Sequence, residues 1–126
     1  EQEAGTAPKA PGMKYTHYAP NAPVYLVKAD NEIIEHSIRT LMEKGEQVAL
    51  IAPNELQHDL AKYNFTVGPI NDLQAHSSLL YDALRSCDKT DATVILATTT
   101  TYEGVGAAIM NRLEKAALGY VSTLNR

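Results

Sequence analysis

Cysteine is nearly missing from this chain: Cys87 is the only one in 126 residues. That excludes an internal disulfide and a zinc site built from several cysteines, and it suits a reducing cytosol. No apolar run approaches the roughly 18 residues of a membrane span, and no signal-peptide pattern is present. Positive charge is not in excess either. A formal charge of −4 argues against a general nucleic-acid-binding surface and leaves room only for a local basic patch. What is there, 44% apolar and 21% charged residues, is the composition of a soluble globular protein. The expectation is one soluble cytoplasmic domain with no membrane partner and no direct nucleic-acid binding. The first residue is glutamate, which reads as a piece cut from a longer polypeptide.

Proline is scarce after residue 23. Four of the six, Pro8, Pro11, Pro20 and Pro23, crowd the start together with Gly5 and Gly12, and residues 1–22 read as an extended arm or linker. Regular pattern follows from residue 23 to 119, with 120–126 as a tail. "VYLVK" (24–28) is a β-rich run, and Asp30 or Asn31 caps a helix that runs to about Lys44 and stops at Gly45. Its apolar residues Ile33, Ile34, Ile38, Leu41 and Met42 share half a helical wheel, with the Glu35–Arg39 pair on the other side. "QVALIA" (47–52) is apolar at its centre, as strands covered on both faces are. A short helix from Asn54 to about Lys62 and a strand "FTVGPI" (65–70) come next. Then follow a helix over about Leu73–Cys87, the strand "TVILAT" (93–98) and a last helix over about Val105–Leu118. This alternation predicts an α/β fold: a small Rossmann-like three-layer domain with a mostly parallel sheet of about four strands.

Ligands of parallel sheets sit where strand ends meet helix N-termini, so "TTTTYEGVGAAIMNRLEKAA" is the natural place to look. Thr100, Thr101, Gly104 and Gly106 are candidates to hold an anion through backbone N–H groups and the helix dipole. Asn111 and Arg112 are candidate anion or interdomain contacts on the same helix. Gly106 has a competing explanation, because it lies in the core-facing stripe with Ile109, Met110 and Leu113, where a missing side chain permits close packing. The spacing also lacks the third glycine of the dinucleotide fingerprint, so packing is the stronger of the two readings.

Tyr81 and Arg85, four apart on a polar helix face, read as a ring packed on an arginine stem. Cys87 reads as a small core residue, and His76 as a buried, hydrogen-bonded one. His36, His58 and His76 have no metal-ligand spacing, so no metal site is assigned. No catalytic residue within the chain can be nominated. That leaves the arm segment "APGMKYTHYAP" (10–20). In extended chain Tyr15 and His17 share one side, and Lys14 and Tyr18 belong partly to the other. Such a strip can line a ligand pocket, or it can be a linker docking its aromatics on its own domain; the residues alone do not separate these.

"APGMKYTHYAP" resembles the "SPGMKYRHYAP" linker of two-domain threonylcarbamoyl-AMP synthases of the Sua-five type. "LYDALRSCD" and "GVGAAIMNRLEKAA" resemble, in order, the family's LY-x-x-LR-x-x-D helix and its G-x-G-x-A-I-x-N-R-L-x-K-A-A ending. The resemblance implies that this chain is the linker plus the C-terminal domain, without the YrdC-like catalytic domain. That enzyme is a nucleotidyltransferase that converts threonine, bicarbonate and ATP into threonylcarbamoyl-AMP and pyrophosphate for threonylcarbamoyladenosine modification of tRNA. It implies ATP and Mg2+ as cofactors of the parent enzyme and none intrinsic to this piece. The YrdC-like domain of the same polypeptide is the expected partner, and ATP, threonine and bicarbonate are reached through it. By carry-over, Lys14, Tyr15, His17 and Tyr18 contact substrate as a lid over the catalytic cavity. Ala10 and Thr16 stand where the family has serine and arginine, which removes any ion pair made by that arginine. The alternative, from the threonine-rich loop, is an independent Rossmann-type module for a nucleotide or other small ligand. A third reading is a purely structural docking or dimerisation domain.

Overall fold

The computed structural model describes residues 19–125. Strand β1 (Val24–Val27) leads into helix α1 (Asn31–Glu43), then strands β2 (Val48–Ala52) and β3 (Tyr63–Thr66). Helix α2 (Leu73–Cys87), strand β4 (Val94–Thr98), helix α3 (Val105–Ala116) and strand β5 (Ala117–Tyr120) follow. The five strands form one sheet in the order β3-β2-β4-β1-β5, and every pairing is parallel. Parallel strands need crossovers: the three helices supply three of them on the two faces, and a 3-10 turn with its loop joins β2 to β3.

The alternation of side chains along each strand sorts the core into two halves. Leu50, Leu96 and Val27 face α1 and meet Ile34, Ile38 and Leu41. Ile51, Ile95 and Leu26 face α2 and α3 and meet Leu80, Leu84, Ile109, Met110 and Leu113. Strands β2 and β4 are buried at every position, which explains why their sequences lack the in-out alternation of a half-exposed strand.

Helix α1 starts where the sequence places it. Asp30 has extended backbone, and its carboxylate accepts from the N–H groups of Glu32 (2.9 Å) and Ile33 (3.1 Å). It stops at Gly45, whose φ of 85° ends the helix while Gly45 N–H and Glu46 N–H donate to the Met42 and Leu41 carbonyls. Ile33 and Met42 prove to be rim residues, 39% and 45% exposed, and Ser37 takes a buried place by donating its hydroxyl to the Ile33 carbonyl at 2.8 Å.

Four expectations are corrected. The helix expected over 54–62 is a single 3-10 turn, Asn54–Leu56. It ends because Gln57 turns extended, with its amide donating to the Ala52 carbonyl at 3.0 Å. Asn64 then takes hold of the His58 backbone on both its N–H and its carbonyl. Strand β3 begins at Tyr63 and ends at Thr66, short of the expected 65–70, because Gly68 with φ 91° bends the chain before Pro69. The sheet has a fifth strand, β5, where the end of the last helix was expected. The residues from 120 are no tail: Tyr120 completes β5, Val121 is only 8% exposed in the α1-side core, and Lys44 Nζ donates to the Leu124 carbonyl at 2.9 Å.

Leu96, with no exposed surface at the middle of the sheet, is the sharpest test of this packing. Leu96→Ala is expected to cost about 3 kcal/mol, read as a lowered urea midpoint with an unchanged slope.

Candidate functional site at the carboxyl edge of the sheet

The connections leaving β4 and β3 run toward α3 and α2, and an open groove of about 610 Å³ lies between the two helix starts. It is lined by Pro69, Asn71, Asp72, Leu73, Gln74 and Val105. Asp72 caps α2, its carboxylate accepting from Ala75 N–H at 3.0 Å. Gly68 turns in beneath it; a side-chain carbon there would lie 2.8 Å from Ala75 Cβ.

The four threonines that close this edge do four different things. Thr98 is buried at 1% exposure, and its hydroxyl has no hydrogen-bond partner among the described residues. Thr99 N–H donates to the Val27 carbonyl at 3.0 Å, carrying the β1–β4 ladder one residue further. Thr100 N–H points at the Met110 sulfur, 3.3 Å away, and the Thr101 hydroxyl accepts from Glu103 N–H at 3.2 Å.

Gly106 is decided by its neighbours. A carbon added to it would stand 2.2 Å from the Thr101 carbonyl oxygen and 2.7 Å from Thr101 Cγ2. The glycine is therefore a close-approach residue. What approaches is Thr101 of the threonine loop, folded over the start of α3. Gly106 N–H and Ala107 N–H already donate to the Glu103 and Gly104 carbonyls, both at 3.0 Å. The start of α3 is thus occupied by its own loop, which leaves few donors for an anion. Asn111 and Arg112 are not brought to this spot. Asn111 lies seven positions beyond Gly104, about 10 Å along the helix axis. The Arg112 guanidinium instead lies 3.4 Å from the carbonyl and hydroxyl of Ser77 on α2.

Elsewhere, Arg85 lies 5.5 Å over the Tyr81 ring, as expected. Cys87 is buried, and burial, then Asp88, pushes its thiol up to about 12, which leaves no thiolate for nucleophilic work. His76 is buried, and the loss of solvent lowers its basicity, so it stays neutral. Among the described residues no group of three or more His, Cys, Asp or Glu is arranged to hold a metal ion.

Two polar clusters escape the sequence because their members are far apart in the chain. At the amino end of the sheet, Lys62 pairs with Asp91 at 2.9 Å, and Tyr63 donates to the other oxygen of the same carboxylate. These two contacts, Tyr63 first, hold Asp91 below the usual carboxylate range. At the other end, His58 joins the Glu35–Arg39 pair; only the i,i+4 part of that cluster is legible in the sequence. Lys14, Tyr15, His17 and Tyr18 lie outside the described residues.

A family model described as "Threonylcarbamoyl-AMP synthase, C-terminal domain" matches residues 1–118. The chain belongs to this family. It is 42% identical over 115 residues to the threonylcarbamoyl-AMP synthase of Bacillus subtilis (strain 168), covering 90% of this chain and 33% of that protein. The crystal structure of Pyrococcus abyssi Sua5 complexed with L-threonine superposes with a TM-score of 0.72 at 38% identity, over 92% of this chain and 34% of that one. The C-terminal Sua5 domain from a Pyrococcus horikoshii hypothetical protein superposes at 0.64 with 29% identity, over 81% of this chain and 98% of that one. The chain therefore spans about a third of the length of the curated synthases it matches, and almost all of the isolated C-terminal domain.

Two substitutions separate packing from binding at this edge. Thr98→Val removes an unpaired buried hydroxyl at nearly constant shape and is expected to stabilise the domain by about 1 kcal/mol in thermal unfolding. Gly106→Ala drives a methyl group into the Thr101 carbonyl and is expected to lower stability by about 2 kcal/mol, with backbone NMR shifts concentrated in residues 99–106.

Proposed function

We propose that this domain is the C-terminal accessory part of an L-threonylcarbamoyladenylate synthase, which controls its catalytic domain through the linker that precedes β1. The observation that carries this reading is the match of the C-terminal-domain family over residues 1–118, combined with coverage of a third of the curated synthases. In the reading, the parent enzyme joins threonine, bicarbonate and ATP with release of pyrophosphate. The threonine found with the P. abyssi relative supports that substrate class. ATP and Mg2+ belong to the catalytic domain. The work is assigned to the cytoplasm, where tRNA threonylcarbamoyladenosine is made; no helix among the described residues is long and apolar enough to cross a membrane.

A carbamoyl adenylate is a labile mixed anhydride, so an enzyme that makes it gains from a cover that excludes water. Lys14, Tyr15, His17 and Tyr18 have the chemistry for such a cover, with an ammonium to meet phosphate, an imidazole and two phenols to hydrogen-bond, and rings to stack. The described domain supplies the root of the cover. Asn21 N–H donates to the Asp88 carboxylate at 2.8 Å, and Ala22 packs against the α2–α3 core, so the chain entering β1 is fastened to the end of α2. The linker is thereby joined to the domain at a fixed point beside the sheet.

The open groove between the starts of α2 and α3 favours a second reading, a small-ligand module. Threonine-dependent pyrophosphate release distinguishes the two, measured for residues 1–126, for the catalytic domain of the parent, and for their mixture. The accessory reading expects an inert domain and, in the full-length enzyme with residues 14–18 changed to alanine, a loss of at least tenfold in kcat/KM, about 1.4 kcal/mol of transition-state stabilisation. Normal kinetics in that variant overturn the lid. Micromolar binding of ATP, AMP or threonine to residues 1–126 in calorimetry supports the module.

A further inference from the structure

The His58 ring is held by a different partner on each nitrogen. Leu60 N–H lies 3.2 Å from Nδ1, and Glu35 Oε1 lies 3.4 Å from Nε2. A backbone N–H can only donate, so Nδ1 carries a lone pair, and the proton of the neutral ring sits on Nε2, facing the carboxylate. The residue's own backbone is fixed independently by Asn64, which accepts from His58 N–H at 3.0 Å and donates to its carbonyl at 2.9 Å. The ring can therefore change state without the backbone swinging away.

We propose that His58 is a proton-operated latch between α1 and the β2–β3 connection. A second proton must go to Nδ1, where it meets the Leu60 N–H donor against donor. The same proton adds a positive charge beside Glu35. One event thus tightens the link to α1 and breaks the link inside the connection. Glu35 is ready for this role: Arg39 grips its other oxygen at 2.9 Å, and Arg39 first, then His58, hold the carboxyl below its ordinary range, so it remains charged throughout. The other charged groups are Glu55 and Asp59 of the connection, which share an opening of about 400 Å³ with Asn31, Glu35, Gln57 and His58. Glu32 and His36 flank Glu35 and Arg39 on α1; Asn64 of β3 is uncharged. The contact that opens, Leu60 N–H to Nδ1, lies inside a segment whose ends stay anchored, with Leu56 and Ala61 buried in the α1-side core and Gln57 held on the end of β2.

The test is an NMR titration of residues 1–126 from about pH 8 to about pH 5, following the ring nitrogens of His58 and the exchange protection of the Leu60 amide. The latch expects the Nε2–H tautomer at the upper end and a fall of about tenfold in Leu60 protection as the ring gains its proton. His36→Gln leaves that fall in place, and His58→Gln removes it. Three results overturn the proposal: an Nδ1–H tautomer at the upper end, a Leu60 amide indifferent to titration of the ring, or a Leu60 response that survives in His58→Gln.

Discussion

The central position of β4 governs this structure. It has a parallel partner on each side, β2 and β1, and a helical layer on each face, so all five of its residues are buried. A strand in that situation cannot carry a charge, and its alternate side chains must satisfy two separate cores at once. Leu96 completes one and Ile95 the other. The order of the remaining strands follows from the need to reach β4 from both directions, and each crossover helix finds its face from the side on which its strand arrives.

How much of this was legible depended on distance along the chain. Asp30 and Gly45 announce α1 because capping is local, and the apolar centres of β2 and β4 announce burial on both faces. β5 was not legible. "ALGY" continues the apolar stripe of α3 and becomes a strand only because β1 offers it an unpaired edge, an opportunity that no window of neighbouring residues contains. The failure at 54–62 has the same origin: Asn64 reaches back to His58, and a helix pattern yields to a clamp set by the next strand. At the carboxyl edge the core-stripe position of Gly106 marked it as a packing residue, but the sequence could not show that the threonine backbone packs on it. Nor could it see that Arg112 turns toward Ser77 on α2.

The two edges of the sheet divide the labour. The amino edge fastens the incoming chain at Asp88 and braces β3 through Lys62, Tyr63 and Asp91. The carboxyl edge holds the groove, the threonine loop and the His58 cluster. The chain entering β1 is thus held at the amino edge by modest, solvent-screened polar contacts added to a buried sheet.

The pairing of β1 bears on how the domain is born. Its two neighbours, β4 and β5, lie some seventy and ninety residues downstream, and neither β2 nor β3 touches it. On the ribosome, then, the first strand of the sheet waits for its later ones: β2 and β3 can pair early, while β1 keeps both of its edges open until β4 and β5 have emerged. The strand that carries the linker's root is among the latest to be locked, so nascent chains released early would present that strand, unpaired and apolar, to the quality-control machinery.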